Sequence, residues 1–255
     1  MAYNLKSIQS GVVDRPPRII LCGVEKIGKS TFAAGAPNPI FVPIKGEEGI
    51  DALNVAKFPT INTYDDLMEV FETLATEKHD FQTVVIDSVS TLEKLIWEKV
   101  CQEHQAESIE RVLGGYSKGY VEAMNQWQQL MNSLDYLRNE LNMGTILIGH
   151  VTVKLFTDPT GDNYDQYTLD LNKHAVSGLM RWADSILFAN IRAAVKKEDK
   201  GFNQTSKKAV MRDERILFTQ KRPAHPGGGR GVYGHIPHEL PLEYSAFAEA
   251  VKNVM

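Results

Sequence analysis

Residues 23–31 read Gly23-Val24-Glu25-Lys26-Ile27-Gly28-Lys29-Ser30-Thr31: a glycine, four intervening residues, then Gly-Lys-Ser. A loop that cradles phosphates needs backbone N–H groups converging on anionic oxygens, which forces a tight turn between a strand and a helix. Gly23 and Gly28 supply the permissive backbone, and a helix opening at Lys29 supplies positive potential. Lys29 then reaches the β- and γ-phosphates of ATP, and the Ser30 hydroxyl ligates Mg²⁺. All nine residues are candidate nucleotide contacts.

Such a loop needs a second carboxylate-bearing strand to hold the metal through water, and Asp87 closes the apolar run TVVIDS (83–88) in that manner. Ser88 follows it where many ATPases have a glutamate, so the group that activates water must come from elsewhere. KGEEGIDAL (45–53) follows a second apolar run and offers Glu47 and Glu48 as candidate bases. His150 ends the run GTILIGH (144–150), where a histidine can contact a γ-phosphate and report its loss. All three positions fall where ligands of open α/β sheets bind, beyond the strand ends.

The elements that must position these groups alternate between strand and helix character, as in a mostly parallel sheet covered by helices. Strands are expected at 17–23, 38–44, 81–88, 144–150 and 183–192, with another at 214–222 on the sheet edge. Leu67, Val70, Phe71 and Leu74 mark one helical face within 64–78, and a helix is expected near 91–105. Apolar residues from Tyr120 to Leu141 recur at steps of three and four in a long amphipathic helix. Residues 151–180 read as a polar, tyrosine-bearing excursion too long for an ordinary connection, and 225–231 (HPGGGRG) as flexible.

A chain of 255 residues, 43% hydrophobic, is long enough for one large α/β domain (17–255) preceded by a short arm (1–16). Cys22 and Cys101 form neither a disulfide framework nor a metal-ligand spacing, which suits a reducing compartment. With no signal-like N-terminus and no apolar run of membrane-spanning length, the expectation is a cytoplasmic protein with no membrane partner. Charge is uneven. Residues 192–230 hold eleven Lys/Arg and four Asp/Glu, net +7, so the rest of a chain of net charge −4 carries −11. One basic surface on an acidic body is the consequence.

Taken together, GVEKIGKST, EEGIDAL, TVVIDSVSTLE and TILIGHV resemble the RecA-like recombinase ATPases, and among them the phage ATP-binding proteins related to single-strand annealing recombinases. The stretches GGYSKGYVEAMNQWQQLMNSLDYLR and LMRWADSILFA add to the likeness, which spans about residues 17–222. The resemblance implies a RecA-like P-loop NTPase core with an antiparallel edge, in which one strand is inserted between the loop strand and the Asp87 strand. It implies Glu47 as the activating carboxylate, with Glu48 as fallback, and His150 in place of a glutamine that couples γ-phosphate to a DNA-binding loop.

The resemblance further implies a homo-oligomer, filament or ring, with ATP at the subunit interface and Lys221 and Arg222 reaching a neighbour's nucleotide. Residues 151–180 would meet single-stranded DNA, and a single-strand-binding protein is a candidate partner. That segment carries Phe156, Tyr164 and Tyr167 as stacking platforms, yet only Lys154 and Lys173 against Asp158, Asp162, Asp165 and Asp170. The positive surface is better placed at 192–230, with Lys196, Lys197, Lys207, Lys208, Arg212 and Arg215. The leading expectation is a Mg²⁺-dependent, DNA-stimulated ATPase that promotes annealing or strand pairing. A P-loop small-molecule kinase and a nucleotide-gated scaffold with little hydrolysis are the alternatives.

Overall fold

The computed structural model describes residues 8, 10–11, 13–47, 49–159, 161–199 and 205–255, and over 193–213 it describes the backbone. Glu48 and most of the expected arm at 1–16 lie outside the described residues. The strands are β1 (Arg18–Gly23), β2 (Pro39–Pro43), β3 (Ala56–Lys57), β4 (Thr83–Asp87), β5 (Gly144–Gly149), β6 (Val151–Phe156), β7 (Tyr164–Leu169), β8 (Ser185–Asp199), β9 (Thr205–Phe218), β10 (Gly228–Gly229) and β11 (Glu239–Pro241). The α-helices are α1 (Lys29–Ala34), α2 (Tyr64–Thr76), α3 (Val89–Glu103), α4 (Lys118–Leu141), α5 (Lys173–Trp182) and α6 (Tyr244–Lys252).

The described residues form a nine-stranded sheet in the order β11-β9-β8-β1-β5-β4-β2-β3, with β10 paired to β8. Strands β8, β1, β5, β4, β2 and β3 run parallel; β9, β10 and β11 form the antiparallel side. Strand β5 lies between β1 and β4, the inserted strand that the RecA-like resemblance implies. Central strands buried on both faces explain the near-continuous apolar runs. Ile20 and Cys22 point into the core beneath α2, α3, α4 and α5, whereas Ile19 and Leu21 point into the core shared with α1 and α6.

Register aligns the strand ends. Cys22 pairs with Gly149, Ile148 with Asp87, and Asp87 with Pro43. The residues just beyond β1, β2, β4 and β5 therefore emerge together on one edge, whatever their distance in sequence. Thr63 opens α2 with a reciprocal capping box to Asp66, and Ser88 opens α3 by accepting from the Thr91 N–H at 3.3 Å. The end of the arm is tied to α4: Arg138 Nε donates to the Pro16 carbonyl at 2.6 Å and Arg15 to Asn139 at 2.8 Å.

Three expectations need correction. Residues 151–180 are not an irregular excursion: they hold the β6–β7 hairpin, closed from Val151↔Leu169 to Phe156↔Tyr164, and helix α5. The period-two alternation is present in VTVKLF, but both faces stay largely exposed, so no apolar run marks it. Residues 225–231 are ordered by close packing. A Cβ on Gly227 would sit 2.5 Å from the Gln220 carbonyl carbon, and one on Gly229 would sit 2.4 Å from the Tyr233 Cβ. Finally, the strands expected at 183–192 and 214–222 form a longer ribbon, β8–β9, and β11 rather than β9 is the outer strand. Beyond residue 192 backbone pairing extends the ribbon, from Ala193↔Met211 to Asp199↔Thr205.

Candidate nucleotide and metal site

Gly28 stands at φ 110° and ψ 26°, the left-handed conformation that glycine tolerates, and from there the chain enters α1. At Gly23 a Cβ would lie 2.3 Å from the Ala189 carbonyl oxygen, so β1 must end on glycine to pair with β8. The loop between them surrounds a cavity of about 580 Å³ lined by Glu25 to Thr31, Gly46, Glu47, Gly49, Asp87, His150 and Arg215. Seven of the nine motif residues line it, as do Glu47, Asp87 and His150.

Lys29 is 6% exposed. Its ammonium donates to the Gly23 carbonyl at 3.0 Å and the Val24 carbonyl at 2.9 Å, and no carboxylate among the described residues lies within ion-pair distance. Burial pushes its pKa down, against the attraction of Asp87. A buried cation without an anion is costly, and a bound phosphate would relieve that cost. The observation fits a nucleotide.

The metal reading fits as well. Ser30 Oγ donates to Asp87 Oδ2 at 2.6 Å, which brings two hard oxygen donors together at the cavity floor. Burial raises the Asp87 pKa; the Ser30 hydrogen bond opposes the shift and the Glu47 charge adds to it. No cluster of three metal-ligating His, Cys, Asp or Glu occurs among the described residues. A Mg²⁺ ion would therefore complete its shell with phosphate oxygens and water, as this small, reluctantly dehydrated ion prefers.

Glu47 is oriented from two sides. Its Oε1 accepts from Ser88 Oγ at 2.7 Å and meets His150 Nε2 at 2.9 Å. Oε2 has no hydrogen-bond partner among the described residues. Burial works against the charged carboxylate, but the hydrogen bonds with His150 and Ser88 and the charge of Lys29 prevail, and its pKa is lowered. Glu47 is thus held ionised with one oxygen free. The Nδ1 of His150 is buried without a partner among the described residues, which favours the tautomer carrying its proton on Nε2 toward Glu47. The His150 backbone N–H donates to Ser90 Oγ at 3.0 Å.

Two residues of this site escaped the sequence. Ser88 was legible only as a missing glutamate, yet it both caps α3 and binds Glu47. Arg215 was legible only as part of a basic segment. Lys221 and Arg222 do not line the cavity of their own chain; both are exposed, and Arg222 Nε donates to His238 Nε2 at 2.8 Å. Tyr167 is not a free stacking platform, because its ring packs 5.2 Å from Phe188 in the core. Phe156 and Tyr164 pair with each other at 5.1 Å near the hairpin tip.

A sheet with a phosphate-loop strand, an inserted strand and an aspartate-bearing strand, all ending at one cavity, defines a P-loop NTPase core. The family model described as an AAA domain matches residues 15–231, and the chain belongs to that family of P-loop ATPases. A relative is the SPbeta prophage-derived uncharacterized protein YorG of Bacillus subtilis (strain 168), 23% identical over 116 residues. That match covers 44% of this chain and 35% of the relative, so the alignment spans about a third of the relative's length.

Proposed function

We propose that this protein is a RecA-like, Mg²⁺-dependent ATPase of phage recombination, acting in the host cytoplasm, that assembles on single-stranded DNA and promotes annealing or strand pairing. The observation that carries the reading is the Glu47–His150 contact. Glu47 can orient water, and His150 lies one residue before the exposed hairpin β6–β7. A change at the γ-phosphate and a change at the hairpin are thereby linked through one side chain.

The residues divide the work. Backbone N–H groups of 24–30 and the Lys29 ammonium bind the phosphate chain, and Ser30 and Asp87 would hold Mg²⁺. When bound, the metal neutralises charge that develops on the phosphate oxygens. Glu47 Oε2 orients water for in-line attack and takes up its proton, while Ser88 and His150 fix the carboxylate through Oε1. His150 then reports the loss of the γ-phosphate.

Strand order supports water as the acceptor, because P-loop small-molecule kinases place the loop strand directly beside the metal-carboxylate strand, whereas β5 separates them here. The prophage origin of the Bacillus subtilis relative supports the phage setting. A DNA surface is supported by the β8–β9 register, which sets Lys196 opposite Lys208 and Lys197 opposite Lys207. Like charges directly opposite each other destabilise a ribbon unless a polyanion neutralises them. Assembly through Lys221 and Arg222 at a neighbour's nucleotide, and recruitment by a single-strand-binding protein, belong to the same proposal.

Binding of a fluorescent single-stranded oligonucleotide, measured with ATP and with ADP over a salt series, tests this reading. It predicts tighter binding with ATP and a salt slope of roughly 0.7 per neutralised phosphate, reduced when the four ribbon lysines become alanine. Binding that is absent, or equal with both nucleotides, would remove the DNA role.

A further inference from the structure

We infer that Arg215 is a phosphate ligand supplied by the same chain that carries the loop, closing the nucleotide site from the β9 side. The inference rests on the nucleotide reading above and is independent of the DNA reading.

Arg215 sits in β9 opposite Ile191 of β8, far from the loop in sequence. Antiparallel pairing nevertheless carries its guanidinium over the loop, where Nη1 lies 3.1 Å from the position of a Cβ on Gly28. It lines the same cavity as Lys29, Ser30 and Glu47. Arg192 on β8 is already paired, forming ion pairs with Glu214 at 3.2 Å and Glu239 at 2.7 Å. Arg215 is exposed and, among the described residues, its guanidinium has neither an ion-pair nor a hydrogen-bond partner. A permanently charged planar fork with no counter-ion among the described residues, lining the cavity of the phosphate loop, matches the oxygens of a phosphate chain.

Its position selects which oxygens. The guanidinium approaches Gly28 and makes no ion pair with Glu47, the acid assigned to the terminal phosphate. Arg215 is therefore assigned to diphosphate oxygens that ATP and ADP share. Because the side chain comes from the same polypeptide, this cation needs no neighbouring subunit.

Calorimetric titration of ATP and of ADP into the full chain, with Mg²⁺, tests the assignment. R215A and R215Q are expected to bind both nucleotides about tenfold more weakly, the scale of one hydrogen bond to a charged group, with R215K intermediate. Unchanged thermal melting of these surface variants shows that folding is intact. If R215A binds ADP with wild-type affinity, the inference is overturned and the nucleotide site stands. If wild type binds neither nucleotide, both fall. Adding excess K29A chain, which retains Arg215, should leave the R215A affinity low; recovery on mixing would overturn the intramolecular assignment.

Discussion

The ring of His150 meets Glu47 at 2.9 Å, and that contact joins the end of β2 to the start of the β6–β7 hairpin across the cavity. The two residues belong to different loops and are brought together because β2, β4 and β5 run parallel and in register. The hairpin in turn rests on the protein body through Tyr167, whose N–H donates to the Ala224 carbonyl at 2.8 Å.

Replacing His150 tests whether this contact transmits. His150→Ala should leave ATP affinity close to wild type while lowering DNA-dependent turnover about tenfold, the worth of one charge-assisted hydrogen bond. His150→Gln, which keeps a donor, should retain part of the response. Steady-state ATPase assays with and without single-stranded DNA measure it, and equal loss in both conditions would assign His150 to chemistry alone.

Lys29→Ala removes the buried ammonium that has no ion-pair partner among the described residues. Nucleotide affinity should fall by at least about tenfold, read by titration. Thermal stability without nucleotide should stay level or rise, since an unpaired buried charge disappears. Asp87→Asn should instead spare binding of metal-free nucleotide and weaken the enhancement by Mg²⁺.

Gly23→Ala probes the entry to the loop. Its methyl would sit 2.3 Å from the Ala189 carbonyl oxygen, backbone that cannot yield without separating β1 from β8. A destabilisation of about 1–3 kcal/mol is expected from such overpacking, together with weaker ATP binding. Chemical denaturation and titration check the two effects.

Glu93 gives a pH signature. It is 5% exposed in α3, and both carboxylate oxygens lie within 3.0 Å of the Asn172 N–H. Burial raises its pKa from 4.5 to about 7, a shift the Asn172 hydrogen bond opposes. A raised folded-state value means the contribution to stability is complete below the unfolded value and is lost as pH rises toward about 7. Glu93→Gln should therefore match wild type near pH 4 and exceed it near pH 8 by up to about 3 kcal/mol, read from pH-dependent melting.

The parts of the fold that could be read from sequence are those where burial leaves a pattern. Strands β1, β4 and β5 are apolar runs because both their faces are covered, and α2 and α4 show the helical period because only one face is. Gly28, Lys29, Ser30 and Asp87 were legible because each sits at the end of such an element. The ribbon beyond residue 192 and the β6–β7 hairpin were not, because backbone pairing between strands defines them and β6 stays largely exposed. The two-residue β3 is exposed and leaves no mark at all. Arg215 illustrates the limit most sharply: its place over Gly28 depends on the register of β8 with β9, which local composition does not encode. Glu47 was one of two adjacent acids in the sequence, and its bonds to His150 and Ser88 now give it a defined geometry.

The central claim is that Glu47 directs water at bound ATP in response to DNA. Turnover at saturating ATP and Mg²⁺, compared between wild type and Glu47→Gln with and without single-stranded DNA, tests it most directly. The account predicts DNA-stimulated hydrolysis by wild type and a loss of about a hundredfold or more in Glu47→Gln, with ATP affinity retained. Equal turnover in the two proteins, or a wild-type rate indifferent to DNA, would contradict it.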